Sequence, residues 1–401
     1  MKKINILGIN VSLLEKKEIL KRIENFLTSK DQFYLVTPNP EIILKAIEDE
    51  ELFYILNKAD LAPADGVGIK LAGFLQGKNI KRFPGADLVL EILKIAQGKK
   101  IKVLIANSQS GLSQASEIEN NLKKRFPDLN LKAVDLDISS SVDWSKKIKN
   151  FNPQILFASF GSPVQEKFIY HNFKKIPGLK LAAGVGGSFD FLTGKLSRAP
   201  KILRFLGLEW AWRFYKQPRR AKRIFRAIII FPLKYLIWRF LLPWFYRSNV
   251  ACLLYKKEKK GYKVLLVERK DEPGHWQLPQ GGTEGENLLQ AGTRELSEEL
   301  NCHNFYPVTT FGKTKKYKFD KKDRKNISKK HWGYKGQKQG LFIAEFTGKD
   351  DDIEINYWEH RNWKWVDWKN LKKEIHPIRR KNLEKFLEIF KKEVLNKDFK
   401  K

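Results

Sequence analysis

Between residues 201 and 247 the chain carries twelve Lys or Arg against a single acid, Glu209. Trp210, Trp212, Phe214, Tyr215, Phe225, Phe231, Tyr235, Trp238, Phe240, Trp244, Phe245 and Tyr246 are interleaved with those cations. The stretch does not qualify as a spanning helix. Residues 227–245 are about long enough, but Lys234 and Arg239 sit inside the run, and Pro232 and Pro243 interrupt it. Two readings remain. The segment is either a helical linker that lays an apolar stripe on flanking domains, or a monotopic membrane contact. In the second, cations meet anionic headgroups and Trp and Tyr rings sit at the water–lipid boundary. Either way it divides the chain into residues 1–200, a junction at 201–247, and residues 248–401.

Composition agrees with that division. A chain of 401 residues with 42% hydrophobic residues fills two cores. The net charge of +32 calls for an anionic partner: a membrane surface, nucleic acid or phosphorylated substrates. The two cysteines, Cys252 and Cys302, form no CxxC and no metal-ligand spacing, which suits a reducing cytosol. The start of the chain has a short apolar run with no small-residue cleavage site after it. It reads as a first strand rather than a signal peptide, so the protein is expected on the cytoplasmic side.

In residues 1–200, short apolar runs alternate with helical periodicity. Residues 4–7, 33–36, 102–106, 131–134, 155–159 and 180–183 read as strands; 16–27, 40–47, 86–96, 111–124 and 163–174 read as helices. This alternation predicts an α/β, Rossmann-like domain with a mostly parallel, doubly wound sheet, whose ligands bind at the carboxyl ends of the strands. Polar clusters fall at those ends. Thr37 and Asn39 follow a strand and are able to cap the next helix. Asp65 stands among small residues and glycines, placed either to deprotonate a hydroxyl or to cap the helix from Gly66. Arg82 offers a cation to a phosphate, and Asp87 lies near a helix start. Gln165 follows a Gly161-Ser162-Pro163 turn that opens a helix, and Gly186 belongs to a second strand-to-glycine turn. Asp135-Leu136-Asp137 has the form of a metal-holding DxD but leads into a serine run, and reads as a surface loop.

Taken in order, the blocks TPNPE, ADGVG, RFPGAD, FGSPVQEKF, GVGGSFDFLTGKLSRAP and LEWAWRFYKQPRR resemble the WecG/TagA/CpsF family, glycosyltransferase family 26, over roughly residues 1–235. The resemblance implies inverting transfer of an N-acetylhexosamine-type sugar from a UDP donor to a polyprenyl-diphosphate-linked acceptor, usually without metal. It makes Asp65 the general base and puts Thr37, Asn39, Arg82 and Gln165 in the donor or acceptor pocket. The leaving diphosphate would be met by Arg82 or by Arg213, Arg219, Arg220 and Arg223. It also favours the membrane reading of the junction, and a protein held peripherally at the inner face of the cell membrane. One departure is Ile105-Ala106-Asn107-Ser108, where a glycine-rich turn is expected after the strand.

Residues 248–401 carry different chemistry. Residues 248–255 and 262–269 alternate as a hairpin, and a helix running to about Leu300 bears Arg294, Glu295, Glu298 and Glu299. Spacings of three and four residues put the three glutamates along one face, where they repel unless cations sit between them. GGTEGENLLQAGTRELSEELN resembles the Nudix box, with Gly281 and Gly282 opening it and Glu286 eight residues before Arg294. The loop between Gly281 and Glu286 holds four residues where five are usual, which is expected to shift the metal geometry, and Asn301 stands where the box has glycine. The flanks resemble the RNA pyrophosphohydrolase and dinucleoside-polyphosphate hydrolase branch, implying an α+β domain. By that resemblance Glu295, Glu298 and Glu299 bind Mg²⁺ (Mn²⁺ as substitute), Glu286 and Arg294 orient the catalytic helix, with Glu286 itself a further candidate ligand, and Glu359 is another ligand or base. The substrate would be a nucleoside diphosphate-linked compound. The basic run 313–329 is either an RNA or polyphosphate contact or a solvated loop, and residues 372–401 read as a packing helix. A silent nucleotide sensor and an RNA 5′-end enzyme are the rival readings, and a homo-oligomer stays open.

Overall fold

The computed structural model describes residues 2–138, 148, 150–259, 261–312, 316–319 and 333–396. The basic run at 313–329 lies mostly outside them. The first apolar run does not enter the main sheet. β1 (Lys3–Ile6) turns back through Leu7 and Gly8, both at positive φ (52° and 88°), and pairs antiparallel with β2 (Ile9–Ser12). A two-residue turn of this kind matches strand twist and closes a hairpin on itself, so the expectation of a first parallel strand is corrected.

The main sheet of the first unit is wholly parallel. β3 (Phe33–Leu35), β4 (Val103–Ser108), β5 (Leu131–Leu136), β6 (Ile155–Ser159) and β7 (Leu181–Gly184) stand in the order β3-β7-β6-β4-β5. The inner strands β7, β6 and β4 are buried on both faces, which is why they read as continuous apolar runs, whereas the edge strand β5 is only partly covered. Val103, Ile105, Ile155, Phe157, Leu181 and Ala183 form a core with Ile19 and Ile23 of α1 (Lys16–Thr28). On the other face, buried Tyr34 donates its hydroxyl to Ile55 O at 2.7 Å and packs on Phe173. Four further helices follow: α2 (Pro40–Glu48), α3 (Glu50–Lys58), α4 (Val67–Phe74) and α5 (Gly85–Gly98). α3 was not expected; Asp49 ends α2 and caps α3 by accepting from Leu52 N at 2.9 Å. Asp135 is not a loop residue. It sits in β5, half-buried, and accepts from Asn107 Nδ2 (2.7 Å) and Ala115 N (3.0 Å), holding the start of α6 (Ala115–Arg125). A carboxylate at a helix N-terminus satisfies free amides and the helix dipole together, so the DxD has a structural use. The unit continues through α7 (Val164–Asn172) and α8 (Ser188–Leu192).

The basic stretch folds back on this unit through Ile237. It forms α9 (Lys201–Phe205), α10 (Glu209–Lys216), α11 (Ala221–Phe225) and, after a π turn at Arg226–Ile230, α12 (Phe231–Leu236). Phe231 and Tyr235 are each 1% exposed, and the Tyr235 hydroxyl donates to Ala72 O of α4 at 2.8 Å. Arg223 grips Glu41 with two bonds (2.8 and 2.9 Å), and Arg226 pairs with Glu48 at 2.7 Å, so α2 carries the counter-charges that the stretch itself lacks. Trp210, Phe214, Tyr215, Phe225, Ile229 and Leu233 remain exposed. No helix among the described residues is long and apolar enough to cross a membrane.

The second unit, from Trp238, is a mixed sheet with a helix on each face. β8 (Tyr246–Glu258) pairs antiparallel with β9 (Gly261–Arg269) and, after β10 (Trp276–Gln277), with β11 (Gln280–Gly282). Helix α13 (Leu288–Leu300) precedes β12 (Phe305–Phe311), β13 (Lys316–Lys318), β14 (Gly336–Phe346) and β15 (His360–Asp367), and β14 runs parallel to β8. Alternation along β8 serves two cores: Val250, Cys252 and Leu254 meet α13, whereas Ala251, Leu253 and Tyr255 meet the C-terminal helix. The single tail helix expected from 372 is broken at Pro377 into α14 (Leu371–Glu374) and α15 (Arg380–Phe390). It does pack, through Leu383, Phe386 and Phe390, and residues 397–401 lie outside the described part.

Candidate active sites

At the carboxyl end of β3, Asn39 Oδ1 accepts from Ile42 N at 2.9 Å and caps α2, so part of its polarity has the structural use anticipated. Thr37 and Asp65 converge on Gly85 at the start of α5. A side-chain carbon built at Gly85 would stand 3.5 Å from Thr37 Oγ1, 3.8 Å from Asp65 Oδ2 and 3.9 Å from Ser188 Oγ. The Gly85 amide points at Asp65 Oδ2 from 3.5 Å, and the Asp65 backbone is tied to Pro38 O at 2.9 Å. Burial raises the Asp65 carboxyl above its usual range, Arg213 and Arg82 draw it down, and Glu209 pushes it up. A desolvated carboxylate of raised pKa, ringed by arginines, is suited to taking a proton.

Arginines from the basic stretch reach this pocket. Glu209 holds Arg213 at 2.7 Å and stands 4.0 Å from Arg82, and Arg82 also donates to Arg204 O at 3.4 Å. Arg198 chelates Asp87. Arg220 is different: among the described residues its half-buried guanidinium makes no ion pair. Burial and its neighbours Arg223 and Arg213 hold its pKa below the usual guanidinium value, against Glu41 and Asp190. This is a local surplus of positive charge, the condition for holding a diphosphate. Arg219 is exposed.

Gln165 takes another role than lining a pocket. It is 2% exposed, its Oε1 accepts from Gly186 N at 2.8 Å and its Nε2 donates to Glu166 Oε1 at 2.8 Å. Both ends of the amide are used, so Gln165 fixes the Gly186 turn. Ser159 Oγ secures the same turn through Gly186 O at 2.7 Å. Ser188 and Glu209 were not anticipated, although Glu209 is the lone acid of its stretch, which is itself a signal.

In the second unit, Arg294 organises the carboxylates. It donates to Glu286 Oε2 (2.9 Å), Glu295 Oε1 (2.8 Å), Glu298 Oε2 (3.1 Å) and Gly282 O (2.7 Å). Burial works against its charge, but hydrogen bonds to Glu286 and Glu295 more than reverse this and raise its pKa. Glu286 is therefore engaged by Arg294, which fits the orienting role more closely than that of a ligand. The short loop closes through Glu284 and Gly285, both at positive φ (50° and 93°), and still delivers Glu286. Asn301 adopts φ 45° and ψ 37° at the helix end, the left-handed cap that its type tolerates. A side-chain carbon at Gly281 would lie 1.8 Å from Glu295 Oε2, so only glycine leaves room for that carboxylate.

Glu299 is 3% exposed, accepting from Gln280 N at 3.1 Å and facing His360 Nε2 at 3.0 Å. Glu359 joins these two closely enough for one ion to touch all three. His360 was missed; its only sequence signal was its place beside Glu359. On the helix face Glu295, Glu298 and Glu299 offer hard carboxylate oxygens, and Gly281 leaves the room that Glu295 needs, which fits a divalent cation of the Mg²⁺ class; beside them Glu359 adds a carboxylate and His360 an imidazole nitrogen. A second cluster, Glu272, His275 and His376, fits one poorly. Its imidazoles stack at 3.9 Å and 9°, and the lone pairs of parallel rings do not converge on one ion.

A family model described as "Glycosyl transferase WecG/TagA/CpsF family" matches residues 4–243, and one described as "NUDIX domain" matches residues 245–386. An N-acetylglucosaminyldiphosphoundecaprenol N-acetyl-beta-D-mannosaminyltransferase of Bacillus subtilis (strain 168) is 28% identical over 222 residues, spanning 55% of this chain and 85% of that protein. The protein of the same name from Staphylococcus aureus (strain MRSA252) is 30% identical over 239 residues, 58% of this chain and 91% of that protein. A solved C. elegans Ap4A hydrolase binary complex shares 22% identity, covering 36% of this chain and 97% of that chain at a TM-score of 0.27.

Proposed function

Because the chain belongs to the WecG/TagA/CpsF family of glycosyl transferases and carries a NUDIX domain behind it, we propose that it joins two activities in one polypeptide. Residues 1–200 with the 201–247 appendage transfer N-acetylmannosamine, with inversion, from a UDP donor to an N-acetylglucosaminyl-diphosphate polyprenol. Residues 248–401 hydrolyse a nucleoside diphosphate-linked substrate. The sugar and acceptor are taken from the names of the relatives. The observation that carries the transferase reading is the convergence of Thr37, half-buried Asp65 and the Gly85 amide, with Arg82 and Arg213 close enough to act on the Asp65 charge.

In this mechanism Asp65 takes the proton of the acceptor hydroxyl as its oxygen attacks the anomeric carbon. The bond to UDP breaks, and the charge left on the diphosphate is met by Arg82, Arg213, Arg220 and Arg223. Thr37 and Asn39 line the sugar, and Gln165 keeps the Gly186 turn in place. The exposed aromatics of the appendage, with their interleaved cations, hold the enzyme at an anionic membrane surface where such an acceptor resides. In the hydrolase, Glu295, Glu298 and Glu299 would hold a divalent cation, with Glu359 as a further ligand or base, and Arg294 and Glu286 keep the helix face in register. When bound, that cation supplies charge to the phosphates and an activated water.

The test is product analysis with the full chain. UDP should appear only when acceptor is present, and this should survive EDTA. The Asp65→Asn protein should lose transfer ~10²–10⁴-fold, the usual worth of a general base. Transfer at the wild-type rate would remove Asp65 from its role. Hydrolysis should need Mg²⁺ and vanish in the Glu298→Gln protein.

A further inference from the structure

The charges around Asp65 carry a conflict. Transfer needs cations for the leaving diphosphate and a carboxylate that still takes a proton, and both stand in one small space. A guanidinium within about 4–6 Å of a carboxylate pulls its pKa down by about 1–3, and a direct pair would silence it as a base. Yet no guanidinium pairs with Asp65 among the described residues. The side-chain hydrogen bond it does accept is a long one, 3.5 Å from the Gly85 amide.

The arginines that act on Asp65 are held elsewhere. Glu209, on the first turn of α10, spends one oxygen on each of two. Its Oε1 lies 2.7 Å from Arg213 Nη2, and its Oε2 lies 4.0 Å from Arg82 Nη2. Arg82 also donates to Arg204 O at 3.4 Å, and Arg198, a further cation that feels Asp65, is chelated by Asp87. Arg213 is steadied by the Phe191 ring, whose centroid lies 5.3 Å from its Cζ, and its Nε is buried without a hydrogen-bond partner, so one donor is left over. An acid in a first helical turn, four residues before an arginine, has an ordinary use in supporting its helix. That use does not account for the second oxygen, which reaches off the helix to Arg82.

We propose that Glu209 is a positioning residue of the transferase: by holding Arg82 and Arg213 it keeps both off the Asp65 carboxylate, so that Asp65 remains a base and the arginines keep their spare N–H groups for the diphosphate. Its own negative charge acts in the same direction, pushing the Asp65 pKa up. Without Glu209 the two guanidiniums turn to the carboxylate nearest them. This rests on the transferase reading above, so the experiment has two readouts.

In the first, the full chain is given UDP-N-acetylmannosamine and an N-acetylglucosaminyl-diphosphate polyprenol, and kcat/KM is followed against pH. The Glu209→Gln protein should show its acid limb about one pH unit or more below that of the wild type, as expected when an opposite charge closes on a carboxylate. Glu209→Asp keeps the charge and should hold the limb within about half a unit of the wild type. Adding Arg213→Gln to Glu209→Gln removes the cation that closes in, and should bring the limb back up. Thermal midpoints, measured alongside, guard against a folding defect, and Glu209→Ser serves as the second neutral variant. A limb that stays in place in both neutral variants, or that the double variant leaves low, would overturn the proposal. The second readout is the titration of the Asp65 carboxyl itself, by NMR of isotope-labelled aspartate carboxyls, assigned by its absence from the Asp65→Asn protein. If the wild type transfers no sugar at any pH, the transferase reading fails, and this titration still decides on Glu209. A lower Asp65 value in Glu209→Gln keeps the charge arrangement, and an unchanged one sinks it.

Discussion

Asp65 is asked to be a base where water is scarce, and that sets the pH at which it works. Burial raises its carboxyl pKa, and Arg213 and Arg82 offset only part of the rise. An acid with a raised pKa stays protonated, and idle as a base, to higher pH than an ordinary aspartate. Transfer should therefore fall as pH drops through a single ionisation lying above the usual carboxylate value of about 4. A kcat/KM profile flat down to pH 4 would contradict this assignment. The sign for stability is the opposite one: the fold favours protonated Asp65, so its contribution is present at low pH and lost as pH rises through the raised value. Residue types were legible here where chemistry leaves few choices. Asp65 among glycines and Arg294 beside three glutamates announce themselves by spacing. Gln165, by contrast, is a surface-type residue in composition. Only the fold reveals that both ends of its amide are spent on Gly186 and Glu166, and His360 becomes visible only through Glu299.

Among the elements, α13 is held close to its sheet at Gly292. A side-chain carbon at Gly292 would stand 2.3 Å from Cγ of Phe342, at the rigid root of a ring rather than the end of a flexible chain. Gly292→Ala should push the helix outward, costing ~1–3 kcal/mol by denaturant midpoint. It should also lower hydrolysis, since Glu295 and Glu299 ride on that helix, while sugar transfer stays unchanged because its residues lie on other elements. A wild-type midpoint would show that the helix approaches less closely. Most elements could be read from periodicity, because buried parallel strands and amphipathic helices leave opposite signatures. The failures have local causes. The Leu7-Gly8 turn spends the first strand on its own hairpin, and α3 hides behind α2 because one aspartate, Asp49, ends one helix and caps the next.

For the whole molecule, the net charge of +32 has a structured component. Glu41 and Glu48 neutralise Arg223 and Arg226, yet Phe214, Tyr215, Phe225 and Leu233 remain outward among the other cations. Binding to vesicles containing anionic lipid should accordingly be strong at 0.05 M salt and largely lost near 0.5 M, as the Debye length shrinks from above 10 Å to a few Å. Binding indifferent to salt would mean that the rings alone hold the protein, and no binding at either salt would remove the membrane from the proposal. The two-part plan of the chain was legible because the Nudix box and the six ordered blocks lie on opposite sides of one basic stretch. Where that stretch would rest was not, since its counter-charges lie on α2, far away in sequence.

The alternation of β8 between two cores has a consequence for how this domain is able to change over time. Val250, Cys252 and Leu254 floor the catalytic helix, and Ala251, Leu253 and Tyr255 floor the C-terminal one. Exchanging any of these for a neighbour in size disturbs one side only. Inserting or deleting a single residue within Val250–Tyr255 would turn every side chain over at once, exchanging the floors of both helices. Lineages of this protein should therefore vary β8 by replacement and place their length changes in the turns beyond it.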